Sequence, residues 1–285
     1  MLTARFWGVR GSIPCPGPDT VVYGGNTSCL EIRADERLII VDLGSGVRPL
    51  GYWLIENDLK KYGKIKAEIF VTHTHWDHIM GLPMFNPAYI AGTELHIRGP
   101  KTSQNESLKV VIENQLSHDY WPVRASQLAA NIKYDKIEET TLDLGGGLTV
   151  TSKIINHTTL CLGYRFEYKN KSIVTIFDYE AFNTGNGKVD AEKENEKIRQ
   201  FMKGADIVIH DAQYTQDEYA DHAGWGHGSF EQALKAATGL DIKKLVFFHH
   251  DPSHTDKKLK QLEKKYANKS NPKTIMAKEG LLLEA

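Results

Sequence analysis

Ile69-Phe-Val-Thr-His-Thr-His-Trp-Asp-His-Ile-Met-Gly81 carries four side chains able to ligate a metal, His73, His75, Asp77 and His78, directly after a short apolar run. The run Glu68–Val71 reads as a buried strand, and a rigid strand end is where donor atoms can be held in register. Imidazole nitrogen and carboxylate oxygen are the donors a divalent transition metal accepts from protein. His73 and His75 lie two apart in extended backbone, so they point the same way and can grip one ion. Asp77 and His78 follow at the turn and can offer a carboxylate and an imidazole to a second ion. A histidine-rich loop that only scavenges metal is the plainer reading, but it accounts for neither the aspartate nor the strand before it.

Outward from this stretch, other candidate ligands also follow strand-like segments. Asp42 ends Leu38-Ile-Ile-Val-Asp42 ahead of Leu-Gly-Ser-Gly46, where it can orient a ligand histidine from behind or serve as an ordinary turn aspartate. His157 follows Lys153-Ile-Ile-Asn156, Asp178 follows Ser172-Ile-Val-Thr-Ile-Phe177, and His249 and His250 follow Lys244-Leu-Val-Phe-Phe248. Taken singly, each can be a hydrogen-bonded histidine or a turn residue. Taken in order, they suggest a site assembled from successive strand ends of a layered fold.

Strands are predicted at Thr3–Val9, Ser28–Arg33, Leu38–Val41, Glu68–Val71, Glu94–Arg98, Leu148–Ile155, Leu162–Tyr168, Ser172–Phe177, Ile207–His210, Leu245–Phe248 and Thr274–Ala277. Helices are predicted at Ser107–Ser117, Ala191–Met202, Ser229–Thr238 and Asp256–Ala267. Strands and helices recur in both halves, which predicts an α/β fold of two sheets packed face to face with helices outside, as one domain over residues 1–285. No Pro/Gly/Ser-rich linker divides the chain.

The 285 residues are 41% hydrophobic and 25% charged, enough to bury a sizeable core. A net charge of −1 argues against a broad basic surface for extended nucleic acid, though not against a small phosphate substrate. The three cysteines, Cys15, Cys29 and Cys161, are too far apart for a Cys-x-x-Cys pair and read as reduced thiols. The start lacks the apolar core of a signal peptide and no run approaches a membrane span, so a cytoplasmic location is expected.

The ordered pattern Asp42, His73-x-His75-x-Asp77-His78, His157, Asp178, His249 resembles the metallo-β-lactamase superfamily. That resemblance implies a four-layer αββα sandwich with a metal site at the edge of its two mixed sheets. It further implies that His73, His75 and His157 hold one ion, that Asp77, His78 and His249 hold the other, and that Asp178 bridges them. His250 competes for the last place; His249 is preferred because it shares a face with Leu245 and Phe247 and comes first off the strand. With no cysteine among the ligands, two divalent ions are expected, zinc first, with manganese or iron as alternatives.

Phe6-Trp-Gly-Val-Arg-Gly-Ser-Ile-Pro14, Tyr23-Gly-Gly-Asn-Thr-Ser-Cys29 and Asp42-Leu-Gly-Ser-Gly46 are similar to the phosphodiesterase branch, which includes ribonuclease Z and the phosphoribosyl cyclic phosphodiesterases. His210-Asp211 and His227-Gly228-Ser229 are similar to the His-Glu pair and His-Ser-Thr of that branch, with Asp replacing Glu and Gly replacing Ser. The resemblance implies a hydrolase for a small, cyclic phosphodiester, with Asp77, Asp211 and His227 catalytic and a homodimer as a candidate assembly. A phosphodiester is a resistant anion. Its hydrolysis needs an activated water, neutralised phosphoryl charge and a protonated leaving group, the last expected from His227 held by Asp211. Among the aromatic residues, Tyr179 beside Asp178 and Trp225 near His227 are the candidate substrate contacts, with core or interface packing the plainer role for each. The rival readings are a tRNA 3′-processing endonuclease, a thiolesterase of the glyoxalase type, and a metal-binding regulatory protein without turnover.

Overall fold

The computed structural model describes residues 1–102, 106–183, 190–267 and 271–285. Its strands are β1 (Leu2–Gly8), β2 (Cys29–Ala34), β3 (Arg37–Val41), β4 (Lys66–Phe70), β5 (Glu94–Gly99), β6 (Asn131–Lys136), β7 (Thr140–Asp143), β8 (Leu148–Ile155), β9 (Cys161–Tyr168), β10 (Lys171–Ile176), β11 (Ile207–Asp211), β12 (Lys244–Phe248), β13 (Lys273–Met276) and β14 (Leu282–Glu284). They form two seven-stranded sheets, in the orders β14-β1-β2-β3-β4-β5-β6 and β13-β12-β11-β10-β9-β8-β7. Each sheet is mixed in the same way. β14, β1, β2 and β3 run antiparallel, and β3 to β6 parallel. In the second sheet β7 to β10 run antiparallel and β10 to β13 parallel.

Strand alternation explains the layering. Phe6, Ile32, Val41 and Phe70 of the first sheet meet Tyr164, Phe166, Ile209 and Phe248 of the second in a core between the sheets. The other face of the first sheet, through Ile40, Ile69 and Ile97, packs on Val47, Leu50 and Leu54 of helix Val47–Leu54 and on Leu108 and Ile112 of helix Leu108–Asn114. The other face of the second sheet, through Val174, Val208 and Phe247, packs on helices Ala191–Met202, Phe230–Ala237 and Asp256–Tyr266. The result is the expected αββα sandwich. Central strands are buried on both faces, which is why Leu38-Ile-Ile-Val41 and Leu245-Val-Phe-Phe248 are almost wholly apolar.

The predicted helices fall within a residue or so of their observed ends except at Asn114, where the first stops three residues early. Three strands were not predicted. β6 and β14 are edge strands and β7 closes the second sheet; their polar, half-exposed residues protect an edge but give no apolar signal. Helix Val47–Leu54 was also missed; its Pro49 lies in the first turn, where no intrahelical N–H is required. Cys29 and Cys161 are buried, Cys15 is half-buried, and all three are unpaired. Among the described residues no helix is long and apolar enough to cross a membrane.

Candidate metal centre

The carboxyl ends of the parallel strands meet at one edge of the sandwich, the crevice where open α/β sheets bind ligands. β3 delivers Asp42, β4 delivers the His73 to His78 segment, β10 delivers Asp178, β11 delivers Asp211 and β12 delivers His249. His157 arrives at the same edge from the end of antiparallel β8. Three of these residues leave their strands in left-handed backbone, Asp42 at φ 63°, Asp178 at 48° and His249 at 63°, and Ser12 in the facing loop does so at 62°. Such conformations cost ~1–3 kcal/mol each in residues other than glycine, and their concentration here marks a functional site.

Two sets of donors converge, with ligand atoms of each set within 4.8 Å of one another: His73, His75, His157 and Asp178, and Asp77, His78, Asp178 and His249. Asp178 belongs to both. Its carboxylate lies 3.5 Å from His73 Nε2, 3.2 Å from His78 Nε2, 3.8 Å from His157 Nε2 and 3.1 Å from His249 Nε2. His75 Nδ1 faces His157 Nε2 at 3.1 Å, and Asp77 Oδ2 is 3.2 Å from both His78 Nε2 and His249 Nε2.

Four of the five histidines in these two sets, all but His75, are steered from behind. His78 Nδ1 meets Asp42 at 2.7 Å, His249 Nδ1 meets Gln213 Oε1 at 2.9 Å, and His157 Nδ1 meets the Gly226 carbonyl at 2.8 Å. His73 Nδ1 lies 3.1 Å from Thr72 Oγ1. With Nδ1 engaged, Nε2 of these rings is turned to the centre and its tautomer is set by the outer partner. Asp42 is no ordinary turn residue: fully buried, it also accepts from Ser28 Oγ at 2.9 Å and Thr72 N–H at 2.7 Å.

The donor set fits a pair of divalent cations. His73 Nε2, His78 Nε2 and Asp178 Oδ1 are buried yet make no aligned hydrogen bond, although carboxylate or ring-nitrogen atoms lie 3.5, 3.2 and 3.1 Å away. Atoms that approach one another without aligning are aimed at a shared point between them. Burial holds His73, and less strongly His75 and His157, below the usual histidine range, which keeps these rings neutral and able to ligate. His78 goes the other way: burial opposes its charge, but Asp178, Asp77 and Asp42 outweigh it. Four buried carboxylates, Asp42, Asp77, Asp178 and Asp211, surround the centre, a surplus of negative charge that cations would relieve.

Asp211 and His227 form a separate pair beside the ligands. His227 Nδ1 meets Asp211 Oδ2 at 2.8 Å, and the His227 ring stacks on His249 at 4.9 Å and meets His157 edge-on at 5.2 Å. A third grouping of Asp178, Asp211, His227 and His249 also lies within 4.8 Å. Asp211 is a poor ligand there, because its two oxygens already accept from Tyr179 N–H, Gln213 N–H, Gly228 N–H and the His227 ring. Burial opposes the charge on His227, yet Asp211, with Asp178 and Asp77 beyond it, lifts its pKa to about 9.

Several expectations need correcting. His250 stays out of the centre: it pairs with Val9 through its backbone and reaches the Ala277 carbonyl with Nε2 at 2.8 Å. His249 enters for a different reason from the one read in the sequence. Leu245 and Phe247 face the helices, and the left-handed turn at His249 swings its ring away from that face. Tyr179 is 4% exposed, with its ring edge-on to His210 and its hydroxyl 2.9 Å from Asn195, so its side chain points into the helix layer. There it lines, with Phe182, Ile198 and His210, a cavity of about 730 Å³ that contains none of the clustered ligands. His210 lies on the same helix-facing side, one residue out of phase with Asp211. Trp225 is 61% exposed in the His227 loop and Trp76 is 78% exposed beside His75.

The sequence reading missed Gln213 and Glu180, and it took the Gly11-Ser12 stretch as a branch motif without giving it a contact in the site. Ser12 N–H donates to Asp77 at 2.8 Å, and a side chain at Gly11 would strike the His249 ring at 2.3 Å. No local pattern signals these contacts, since each joins residues far apart in the chain.

Residues 40–250 match the family described as "Beta-lactamase superfamily domain". A ribonuclease Z from Streptococcus equi subsp. zooepidemicus is 26% identical over 252 residues, covering 70% of this chain and 76% of that protein. A ribonuclease Z from Treponema denticola is 24% identical and aligns with 99% of this chain and 98% of its own. The fold is similar to that of the short form of human tRNase Z, at a TM-score of 0.67 and 17% identity, covering 99% of this chain and 98% of that one. The chain belongs to the beta-lactamase superfamily, in the branch that holds ribonuclease Z, and is a metal-dependent hydrolase.

Proposed function

We propose that this hydrolase is a phosphodiesterase with two divalent ions, acting on a small, cyclic phosphodiester such as a cyclic nucleotide or a cyclic ribose phosphate. His73, His75 and His157 would hold one ion and Asp77, His78 and His249 the other, with Asp178 between them. This nitrogen-rich set suits zinc, with manganese or iron as alternatives. When bound, such ions neutralise phosphoryl charge and lower the pKa of a water towards ~7.

The protein's own side chains do the rest. Asp211 fixes the His227 ring through Nδ1 and favours its charged form, which leaves Nε2–H as the proton source for a departing oxygen. Trp225, exposed on the same loop, would touch the leaving group. The observation that carries the reading is this Asp211–His227 pair against the ligand rings His249 and His157. A thiolate leaves without a proton, so a thiolesterase would have no use for it.

A tRNA 3′-processing endonuclease is the second reading, favoured by relatives named ribonuclease Z. The net charge of −1 favours the small substrate. Turnover of bis(p-nitrophenyl) phosphate, cyclic nucleotides, cyclic ribose phosphates, a precursor tRNA, S-lactoylglutathione and a β-lactam should be compared on one preparation. Highest kcat/KM on a cyclic phosphodiester is expected. Highest kcat/KM on the precursor tRNA would move the assignment to tRNA processing, and on the thiolester or β-lactam would remove the phosphodiesterase reading.

A further inference from the structure

We propose that Glu180 is a positioning residue that clamps the His227 loop against the metal centre. The inference rests on the acid role proposed for His227 and asks what holds that loop in place.

Segment Gly224-Trp-Gly-His-Gly228 has no regular secondary structure, and Gly224 and Gly226 have φ of 89° and 88°. Left to itself, such a segment would sample many conformations. Its far end is fixed by Asp211, through His227 Nδ1 and Gly228 N–H. Its near end is held by the Trp225 N–H bond to the His222 carbonyl at 3.0 Å and by one carboxylate that takes the N–H groups on either side of Trp225. Glu180 Oε1 accepts from Gly224 N–H at 2.8 Å and from the Tyr219 hydroxyl at 2.7 Å, and Oε2 accepts from Gly226 N–H at 2.9 Å.

Glu180 is 6% exposed, so these bonds replace its water rather than compete with it. Its backbone is held too: Glu180 N–H donates to the Asn156 carbonyl at 3.0 Å, and Asn156 Nδ2 donates to the Glu180 carbonyl at 2.8 Å. Asn156 precedes His157, and Glu180 stands two residues beyond Asp178. The clamp is therefore built on two of the segments that carry ligands.

The held loop in turn contacts a ligand. The Gly226 carbonyl accepts from His157 Nδ1–H at 2.8 Å, and a side chain at Gly226 would meet that nitrogen at 2.2 Å. One loop thus carries the acid on its next residue and sets the tautomer of a metal-facing histidine. Releasing Gly224 and Gly226 would let His227 drift from the leaving group while its bond to Asp211 persists. A misplacement of about 1 Å in a reacting geometry is costly although no reacting group is lost.

The test uses Glu180→Gln, with Glu180→Asp as a second variant should the first fail to fold, in the zinc-loaded full-length protein. Hydrolysis of a series of aryl phosphodiesters, from nitrophenyl to unsubstituted phenyl leaving groups, is read with zinc content and with amide exchange at Gly224 and Gly226. Expected are faster exchange, two zinc ions retained, and a loss of about 10- to 100-fold on the phenyl ester with a smaller loss on the nitrophenyl ester. In a His227→Ala background the Glu180 change should add little on the phenyl ester. Equal losses across the series, or losses that multiply with those of His227→Ala, would overturn the proposal. If His227→Ala alone shows no leaving-group dependence, the acid role falls and the clamp is judged on exchange, where unchanged protection of Gly224 and Gly226 would overturn it.

Discussion

Asp178→Ala is expected to strip the protein of both ions and to lower kcat/KM for bis(p-nitrophenyl) phosphate by about 10³-fold or more. Charge stabilisation by such ions contributes several kcal/mol in the transition state, and each 1.36 kcal/mol is a factor of ten in rate. The Asp178 carboxylate stands within 3.8 Å of four ligand histidines, so its loss should weaken both sets of donors together. Single ligands should behave differently. His249→Ala should retain one ion of two, and His250→Ala should retain both, because His250 is tied to Ala277 and does not reach the centre. Elemental analysis of the three purified variants checks this. Two ions in Asp178→Ala, or one in His250→Ala, would require a different assignment of ligands.

His227→Ala separates a phosphodiesterase from a generic metal hydrolase. If His227 protonates the leaving oxygen, its removal should slow hydrolysis of a cyclic nucleotide, whose leaving group is an alkoxide, by ~10²-fold or more. Nitrophenolate departs with far less help, so the loss on bis(p-nitrophenyl) phosphate should be much smaller, with both ions still bound. Asp211→Asn should show a milder form of the same selectivity, since it removes the charge that holds the ring protonated at 2.8 Å. Equal losses on both substrates would reduce His227 to a residue that positions substrate or supports the loop.

How much of this was legible in the sequence follows from where the information resides. Strands buried on both faces must be apolar throughout, so Leu38-Ile-Ile-Val41 and Leu245-Val-Phe-Phe248 were readable, as was the His73 to His78 motif at the end of β4. β6 and β14 were not, because an edge strand is selected for polarity. The clustered donors were legible because every one is a histidine or aspartate beyond an apolar run. Their supports were not. Gln213 behind His249, Ser12 behind Asp77 and Glu180 beneath the His227 loop are common residue types whose roles exist only in three dimensions. Tyr179 was misjudged for a related reason. Adjacency to Asp178 says nothing of direction, and its ring packs on His210 on the other side of the sheet. His249 was preferred over His250 on an argument that fails: strand alternation would have sent it towards the helices, and a left-handed residue at the strand end reverses that.

The central claim is that hydrolysis depends on a pair of ions held by this ligand set. It is tested most directly by titrating zinc into metal-stripped protein while following hydrolysis of bis(p-nitrophenyl) phosphate. The expected curve starts from negligible activity and saturates at two equivalents per chain. Full activity in the stripped protein under chelator, or saturation at one equivalent with no further gain, would contradict it.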